Sequence, residues 1–217
     1  MSQAQGQSGS TIIGIFGGTF DPVHIGHLRT AIELRESLGL DKCTLLPCHK
    51  PSHRGQPGAT TDQRIAMLRE ATAGVDQLEV DSREALRDKP SYSVDTLSSF
   101  REELPDARLV FCMGMDAFDG FTRWHRWQEI LNLAHLLVVS RPGSSVSGPA
   151  AELLAERQVA NAGLFKGQSG SILMQSLTQI EISATRIREL VSQNRDINYL
   201  VPETVRRYIH NNGLYRE

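Results

Sequence analysis

Two imidazoles stand three residues apart, His24 and His27, inside GIFGGTFDPVHIGHLRTAIEL at residues 14–34. An apolar run precedes them, broken by Gly17 and Gly18, and an amphipathic run follows. Glycine lets backbone approach a ligand with no Cβ in the way. A helix starting after such a break points its free N–H groups and positive end at the same spot, which suits phosphate. Histidines in its first turn, three apart, share a face. Gly26 between them leaves room for a flat ring or a phosphate against the backbone. Two imidazole donors there suit the charge that builds on a phosphoryl group during displacement. The helix end lowers their pKa, so they act as neutral donors. The plainer alternative is one histidine capping the helix and the other lying at the surface. The stretch contains neither G-x-G-x-x-G nor G-x-x-x-x-G-K-S/T, so it is not a dinucleotide fingerprint or a P-loop.

These side chains need a frame. Short apolar runs recur at 11–16, 43–47, 78–80, 108–113, 135–140 and 171–175. Several are apolar on successive residues, as strands are when both faces are buried. Helical patterns lie between them at 28–38, 62–73, 94–103, 124–133 and 150–161. In the first, Leu28, Ala31, Ile32 and Leu38 share a face, and Gly39 is placed to end it. Strand–helix alternation predicts an α/β fold with a doubly wound parallel sheet. Ligands of such a sheet bind beyond the strands' C-terminal ends, where strand order reverses. The expected organisation is a flexible polar leader at 1–10, a core at 11–180 and a small helical extension at 181–217. The stretch 47–61, rich in Pro, Gly and His, reads as a functional loop and a candidate lid.

The chain has 217 residues, enough for a sizeable core, and a net charge of −2 that recruits neither nucleic acid nor an anionic membrane. No apolar run approaches the ~20 residues that span a bilayer, and the start of the chain lacks the order of a secretory signal. Cys43, Cys48 and Cys112 are odd in number and form no C-x-x-C pair, which fits a reducing, cytoplasmic setting. Cys48, His49 and His53 are close in sequence, but no second cluster supports a zinc site.

A second stretch, ISATRIREL at 182–190, begins a helix with hydroxyls and a cation. Ser183 and Thr185 stand beside the N–H groups of a helix start, and Arg188 adds a permanent charge one turn on. Alone, S-x-T-x-x-R is an ordinary cap. Joined to GGTFDPVHIGH, it resembles the HxGH nucleotidyltransferase superfamily of class I aminoacyl-tRNA synthetases and small adenylyl- and cytidylyltransferases. No stretch resembles the synthetases' KMSKS loop. ISATRIR is similar instead to the ISSTxIR motif of the bacterial nicotinate mononucleotide adenylyltransferase family. LLPCHKPSHRG, SYSVDTL, GMDAFDGFTRWHRWQEIL, SRPG and YLVPETVRRYIHNNGLY continue the likeness in family order, from Ile12 onward. Two positions depart from it: Ala184 replaces a serine, and Ser52 replaces a proline.

The resemblance implies a Rossmann-like nucleotidyltransferase fold. It also implies transfer of AMP from ATP to nicotinate mononucleotide by direct attack on the α-phosphate. Mg²⁺ would accompany ATP, held mainly by phosphates and water, so no residue is assigned to a metal. Against ATP the resemblance sets Gly17, Gly18, Thr19, Phe20, His24, His27, Ile182, Ser183, Thr185 and Arg188, with His24, His27 and Arg188 catalytic. Against the mononucleotide it sets Lys50, His53, Arg54, Tyr92, Thr96, Gly114, Asp116 and Trp124. Trp124 suits stacking on the pyridine ring, while Trp127 suits core packing. Asp116 suits ribose hydroxyls or a helix cap, and Lys50 a phosphate or plain solvent. Tyr92 and Thr96 are placed near the pyridine carboxylate at a helix start, which favours acid over amide. Expected partners are these two small molecules, without nucleic acid or membrane, and a homo-oligomer stays open.

Overall fold

The computed structural model describes residues 11–49, 57–87, 90–140, 143 and 145–216. The expected leader and residues 50–56 of the expected loop lie outside the described residues. Seven strands form one sheet: β1 (Ile12–Gly18), β2 (Lys42–Pro47), β3 (Leu78–Val80), β4 (Arg108–Gly114), β5 (His135–Ser140), β6 (Gln158–Val159) and β7 (Ile172–Ser176). Their order is β3-β2-β1-β4-β5-β7-β6, and every neighbouring pair is parallel. Order therefore reverses between β1 and β4, the crevice where such a sheet takes its ligands.

The successive apolar residues read as doubly buried strands are doubly buried. On β4, Val110 and Cys112 join one hydrophobic cluster, while Leu109, Phe111 and Met113 join the cluster on the other face. Helices α1 (Ile25–Leu38) and α2 (Thr61–Thr72) cover the first face, through residues such as Leu34, Met67 and Leu68. The other face is covered by α3 (Ser93–Glu103), α5 (Trp127–Leu133) and α6 (Gly148–Arg157), through Val94, Leu97, Ile130 and Leu153. Gly39 does end α1, in the left-handed conformation.

Several elements differ from expectation. The helix expected over 150–161 stops at Arg157, because Gln158–Val159 pairs with β7 as a two-residue edge strand, too short to show a period. The helix expected from Trp124 starts at Trp127, after a 3-10 turn over Phe121–Arg123. A five-residue helix, α4 (Met115–Asp119), follows β4 and was not foreseen.

The C-terminal helices α7 (Ala184–Ser192) and α8 (Glu203–Asn211) have no core of their own. Ile187, Leu190, Val205 and Ile209 belong to the same cluster as Leu34 and Leu45. Ile209→Ala therefore destabilises the whole fold, by about 2–5 kcal/mol. Denaturant unfolding followed by fluorescence and by circular dichroism should show one shared transition, where a separate C-terminal domain would give two.

Candidate active site

Strand β1 ends at the crevice, and the turn after it delivers His24 and His27 to the start of α1. His24 is the N-cap and His27 the third helical residue, so each reaches the other's backbone. His24 Nδ1 accepts from the His27 N–H at 3.3 Å, and His27 Nδ1 accepts from the His24 N–H at 3.4 Å. The rings stack with centroids 3.6 Å apart and planes 20° from parallel. With both Nδ1 atoms accepting, a neutral ring carries its proton on Nε2. Each imidazole is then a fixed Nε2–H donor. Burial lowers the pKa of His24 to about 4, and burial plus the neighbouring His24 lowers that of His27 to about 3. The expected neutrality is present, with burial rather than the helix end as its first cause. Capping, the plainer reading for one histidine, describes both. Gly26 has a packing role too, since a Cβ there would lie 3.1 Å from His24 Nδ1.

Phe20 holds the pair from below. Its backbone is left-handed at φ 50°, and its buried ring meets His27 edge-on with centroids 5.0 Å apart. Under the same turn lies Arg64 of α2, which the sequence reading passed over. It is fully buried, and its guanidinium donates to the Thr19 carbonyl at 2.7 Å and to Thr61 Oγ1 at 3.0 Å. Burial pulls its pKa down, yet a guanidinium stays charged in a protein. A cation thus lies just beneath the turn that the sequence set against phosphate.

Two cavities open at the crevice. The first, about 470 Å³, is lined by Gly17, Gly18, Thr19 and His27 on one side and by Tyr92, Gly114, Asp116 and Trp124 on the other. The second, about 650 Å³, is lined by Thr19, Phe20, His24, His27, Ile182, Ser183, Thr185 and Arg188. Phe16, Thr19, His27 and Gly114 line both. The two expected groups of residues thus separate into adjoining spaces that meet at His27. Gly17 and Gly18, expected against ATP, face the first cavity instead. Lys50, His53 and Arg54 lie outside the described residues.

In the first cavity the two tryptophans take different places, though both rings pack near Phe121. Trp124 lines the space and meets Phe111 edge-on, while Trp127 packs against Phe121. Tyr92 rests on His125, centroids 4.4 Å apart, and His125 is a lining residue that sequence reasoning missed. Thr96 is the exception. It does not line either cavity among the described residues, because it is buried on the inner face of α3. Its hydroxyl donates to Glu84 Oε1 at 2.8 Å and accepts from Arg87 Nη1 at 3.0 Å. Glu84, itself buried, is the member of this chain that reaches the cavity.

In the second cavity, Ser183 caps α7 by accepting from the Arg186 N–H at 3.2 Å. Arg188 donates to the Asp21 carbonyl at 2.7 Å and reaches Thr185 Oγ1 at 3.4 Å. Among the described residues no cluster of three or more His, Cys, Asp or Glu could hold a metal ion. The one carboxylate lining this cavity, Asp21, already accepts from Gly58, Ala59 and Tyr215. Among the described residues this lining offers a divalent cation no ligand set of its own.

The cytidylyltransferase-like family matches residues 15–190. A relative from Cellvibrio japonicus, named probable nicotinate-nucleotide adenylyltransferase, is 50% identical over 207 residues, covering 94% of this chain and 98% of its own. One of the same name from Aeromonas hydrophila is also 50% identical, over 94% of this chain and 97% of its own. The chain belongs to the nicotinate-nucleotide adenylyltransferase family. The family expectation drawn from GGTFDPVHIGH and ISATRIR is met. Among solved structures, Plasmodium falciparum nicotinic acid mononucleotide adenylyltransferase complexed with NaAD is similar at a TM-score of 0.74. At 14% identity, over 94% of this chain and 97% of that one, it shows the Rossmann-like nucleotidyltransferase fold. Among the described residues no helix is long and apolar enough to cross a membrane.

The histidine pair at this family's motif makes stability depend on pH. Folded, the rings protonate near 4 and 3; unfolded, near 6.5. Between those values the unfolded chain binds more protons, so the pair's contribution is complete above about pH 6.5 and is lost as pH falls. Denaturant midpoints should drop from neutral pH to about pH 5, and His24→Asn, which keeps a capping side chain, should shrink that drop. An equal drop in the variant would mean that other groups cause it.

The Arg87–Thr96–Glu84 chain has its own signature. Thr96→Val keeps the shape but leaves a buried carboxylate oxygen and a guanidinium without their shared partner, at a cost of about 1–3 kcal/mol. Thermal unfolding should show the loss, and Thr96→Ser should restore most of it.

Proposed function

We propose that this adenylyltransferase moves AMP from ATP to nicotinate mononucleotide, giving nicotinate adenine dinucleotide and pyrophosphate in NAD biosynthesis. One observation carries the reading: two cavities of different character share His27 at the reversal of strand order. The first, walled by Trp124, Tyr92 and His125, suits a flat pyridine ring, with Asp116 for ribose hydroxyls. The second, with the histidines, Ser183, Thr185 and Arg188, suits a triphosphate.

The chemistry needs little more than placement. A phosphate monoester is already a nucleophile at neutral pH, so no general base is required. Its oxygen forms a bond to the α-phosphorus of ATP as the bond from that phosphorus to the leaving pyrophosphate oxygen breaks. His24 and His27, neutral and fixed as Nε2–H donors, hold the α-phosphate oxygens, and Arg188 stabilises the leaving group. When bound with ATP, Mg²⁺ would supply charge neutralisation to the phosphates, which with water would hold it. Tyr92 and Ser93 line the first cavity at the start of α3, which has no side-chain cap. A pyridine carboxylate fits beside those first-turn N–H groups better than an amide. Thr96 acts at one remove, through Glu84. The buried thiols of Cys43 and Cys112 and the ATP requirement fit a cytoplasmic setting.

Pyrophosphate release from ATP and Mg²⁺ tests this, with nicotinate and nicotinamide mononucleotide assayed side by side. The acid should turn over faster than the amide. His27→Ala should lower kcat about 10²–10³-fold with the fold intact by circular dichroism. No release with either acceptor would overturn the reading.

A further inference from the structure

Among the described residues lining the second cavity, Arg188 is the one Lys or Arg. Its aim therefore decides how well a polyphosphate is held, and the contacts around it come from a distant part of the chain. Arg188 Nη1 donates to the Asp21 carbonyl at 2.7 Å and stands 3.7 Å from Asp21 Oδ2. The Asp21 carboxylate is buried and accepts from three other donors. Gly58 N–H reaches Oδ2 at 2.8 Å, Ala59 N–H reaches Oδ1 at 3.0 Å, and the Tyr215 hydroxyl reaches Oδ1 at 2.8 Å. Tyr215 and Arg188 also share a surface: a Cβ on Gly58 would lie 3.1 Å from the Tyr215 ring and 3.5 Å from Arg188 Cδ.

A buried carboxylate takes the strongest donors within reach. With these three donors in place, the Asp21 carboxylate leaves Arg188 on the neighbouring carbonyl and near Thr185 Oγ1, with its side chain lining the cavity. Among the described residues, Oδ1 without the Tyr215 hydroxyl keeps only the Ala59 N–H. Among the described residues, the cation paired with that carboxylate is Arg188, already 3.7 Å from it. A small swing would close that ion pair and withdraw the guanidinium from the phosphates.

We infer that Tyr215 is a positioning residue for ATP: by saturating the Asp21 carboxylate and packing over Gly58, it keeps Arg188 aimed at the leaving phosphates. This rests on the placement of the ATP polyphosphate in the second cavity. Burial, then the charge of Asp21, pushes the Tyr215 phenol well above its usual range, so it remains a donor at any working pH. No covalent step involves it.

Tyr215→Phe removes the hydroxyl and keeps the ring. In the forward reaction KM for ATP should rise about tenfold, the scale of a lost hydrogen bond to a charged group. KM for nicotinate mononucleotide should stay within about twofold. In reverse, KM for pyrophosphate should rise and that for nicotinate adenine dinucleotide should not. If Tyr215 works through Arg188, the effects of Tyr215→Phe and Arg188→Lys are not additive in the double variant. Gly58→Ala, whose Cβ would press on the Tyr215 ring, should reproduce the ATP defect with the hydroxyl present. Unchanged KM for ATP and pyrophosphate in Tyr215→Phe, or strict additivity with Arg188→Lys, would overturn the inference. Calorimetric titration of ATP alone separates it from the choice of acceptor. A wild-type chain that binds ATP but turns over neither mononucleotide loses the proposed acceptor, and the Tyr215→Phe comparison of ATP affinity still decides the role of Tyr215.

Discussion

Two imidazolium ions cannot share the space that His24 and His27 occupy, with ring centroids 3.6 Å apart and little water around them. Charge on one ring is repelled by charge on the other, and burial penalises both. Neutrality is the condition of their closeness, and much of the surrounding structure serves it. The reciprocal capping bonds occupy both Nδ1 atoms, which fixes the tautomer and locks the rings against the start of α1. Phe16 and Phe20 turn ring edges to His27 and keep water from its side. The outcome is a pair of rigid donors that carry no counter-ion and need no reorientation when an anion arrives. Electrostatic stabilisation is largest when the donors are fixed before the charge develops.

Buried polar side chains then fix this pair relative to everything else. Arg64 ties the carbonyl of Thr19 to α2, and Asp21 ties the next residues of the same turn to 58–59 and to Tyr215. Burying a charge is expensive unless it is paired and hydrogen-bonded. Each of these groups makes several bonds to backbone or side chain, so the cost is offset at the points that need a unique geometry. Apolar residues could fill the same volume. They could not set the direction of a carbonyl or the reach of a guanidinium.

How much of this was legible depends on the range of the information. The sheet and its helices showed in short apolar runs and in the 3.6-residue pattern, because both faces of each inner strand are covered along its length. The two-residue strand at Gln158 carries no such pattern and is set only by its neighbour β7. Thr96 was placed against a ligand by resemblance. Its spacing of four from Phe100 and its place next to Leu97 on the buried face of α3 already pointed inward. Arg64 offered a similar sign: it precedes Met67 and Leu68 by three and four residues, so a charged residue stands on the apolar stripe. A cation in that position needs a buried partner, and the partner is the motif's own backbone. The Asp21–Tyr215 bond spans 194 residues, and nothing local announces it.

The glycines bear on how geometry would replace a catalytic base in the proposed displacement. Gly17 and Gly18 look equivalent in sequence, yet a Cβ on Gly18 would lie 2.8 Å from the Phe20 ring, while one on Gly17 would make only ordinary contact with Phe111. Gly18 is required by packing, and Gly17 is not. Gly114 makes the contrast sharper. It ends β4 on the far lip of the crevice and lines both cavities, and a Cβ there would meet no protein atom within 4 Å. The fold itself would accept a side chain at 114, so its absence matters only to whatever fills the crevice. In a direct displacement, two phosphate groups that repel each other must come to bonding distance along one line. A catalyst for that step needs open space at one point, with fixed neutral donors beside it. Under the proposed displacement, the bare end of β4, which lines both cavities with His27, would be such a point, and a base there would occupy room that the second phosphate needs.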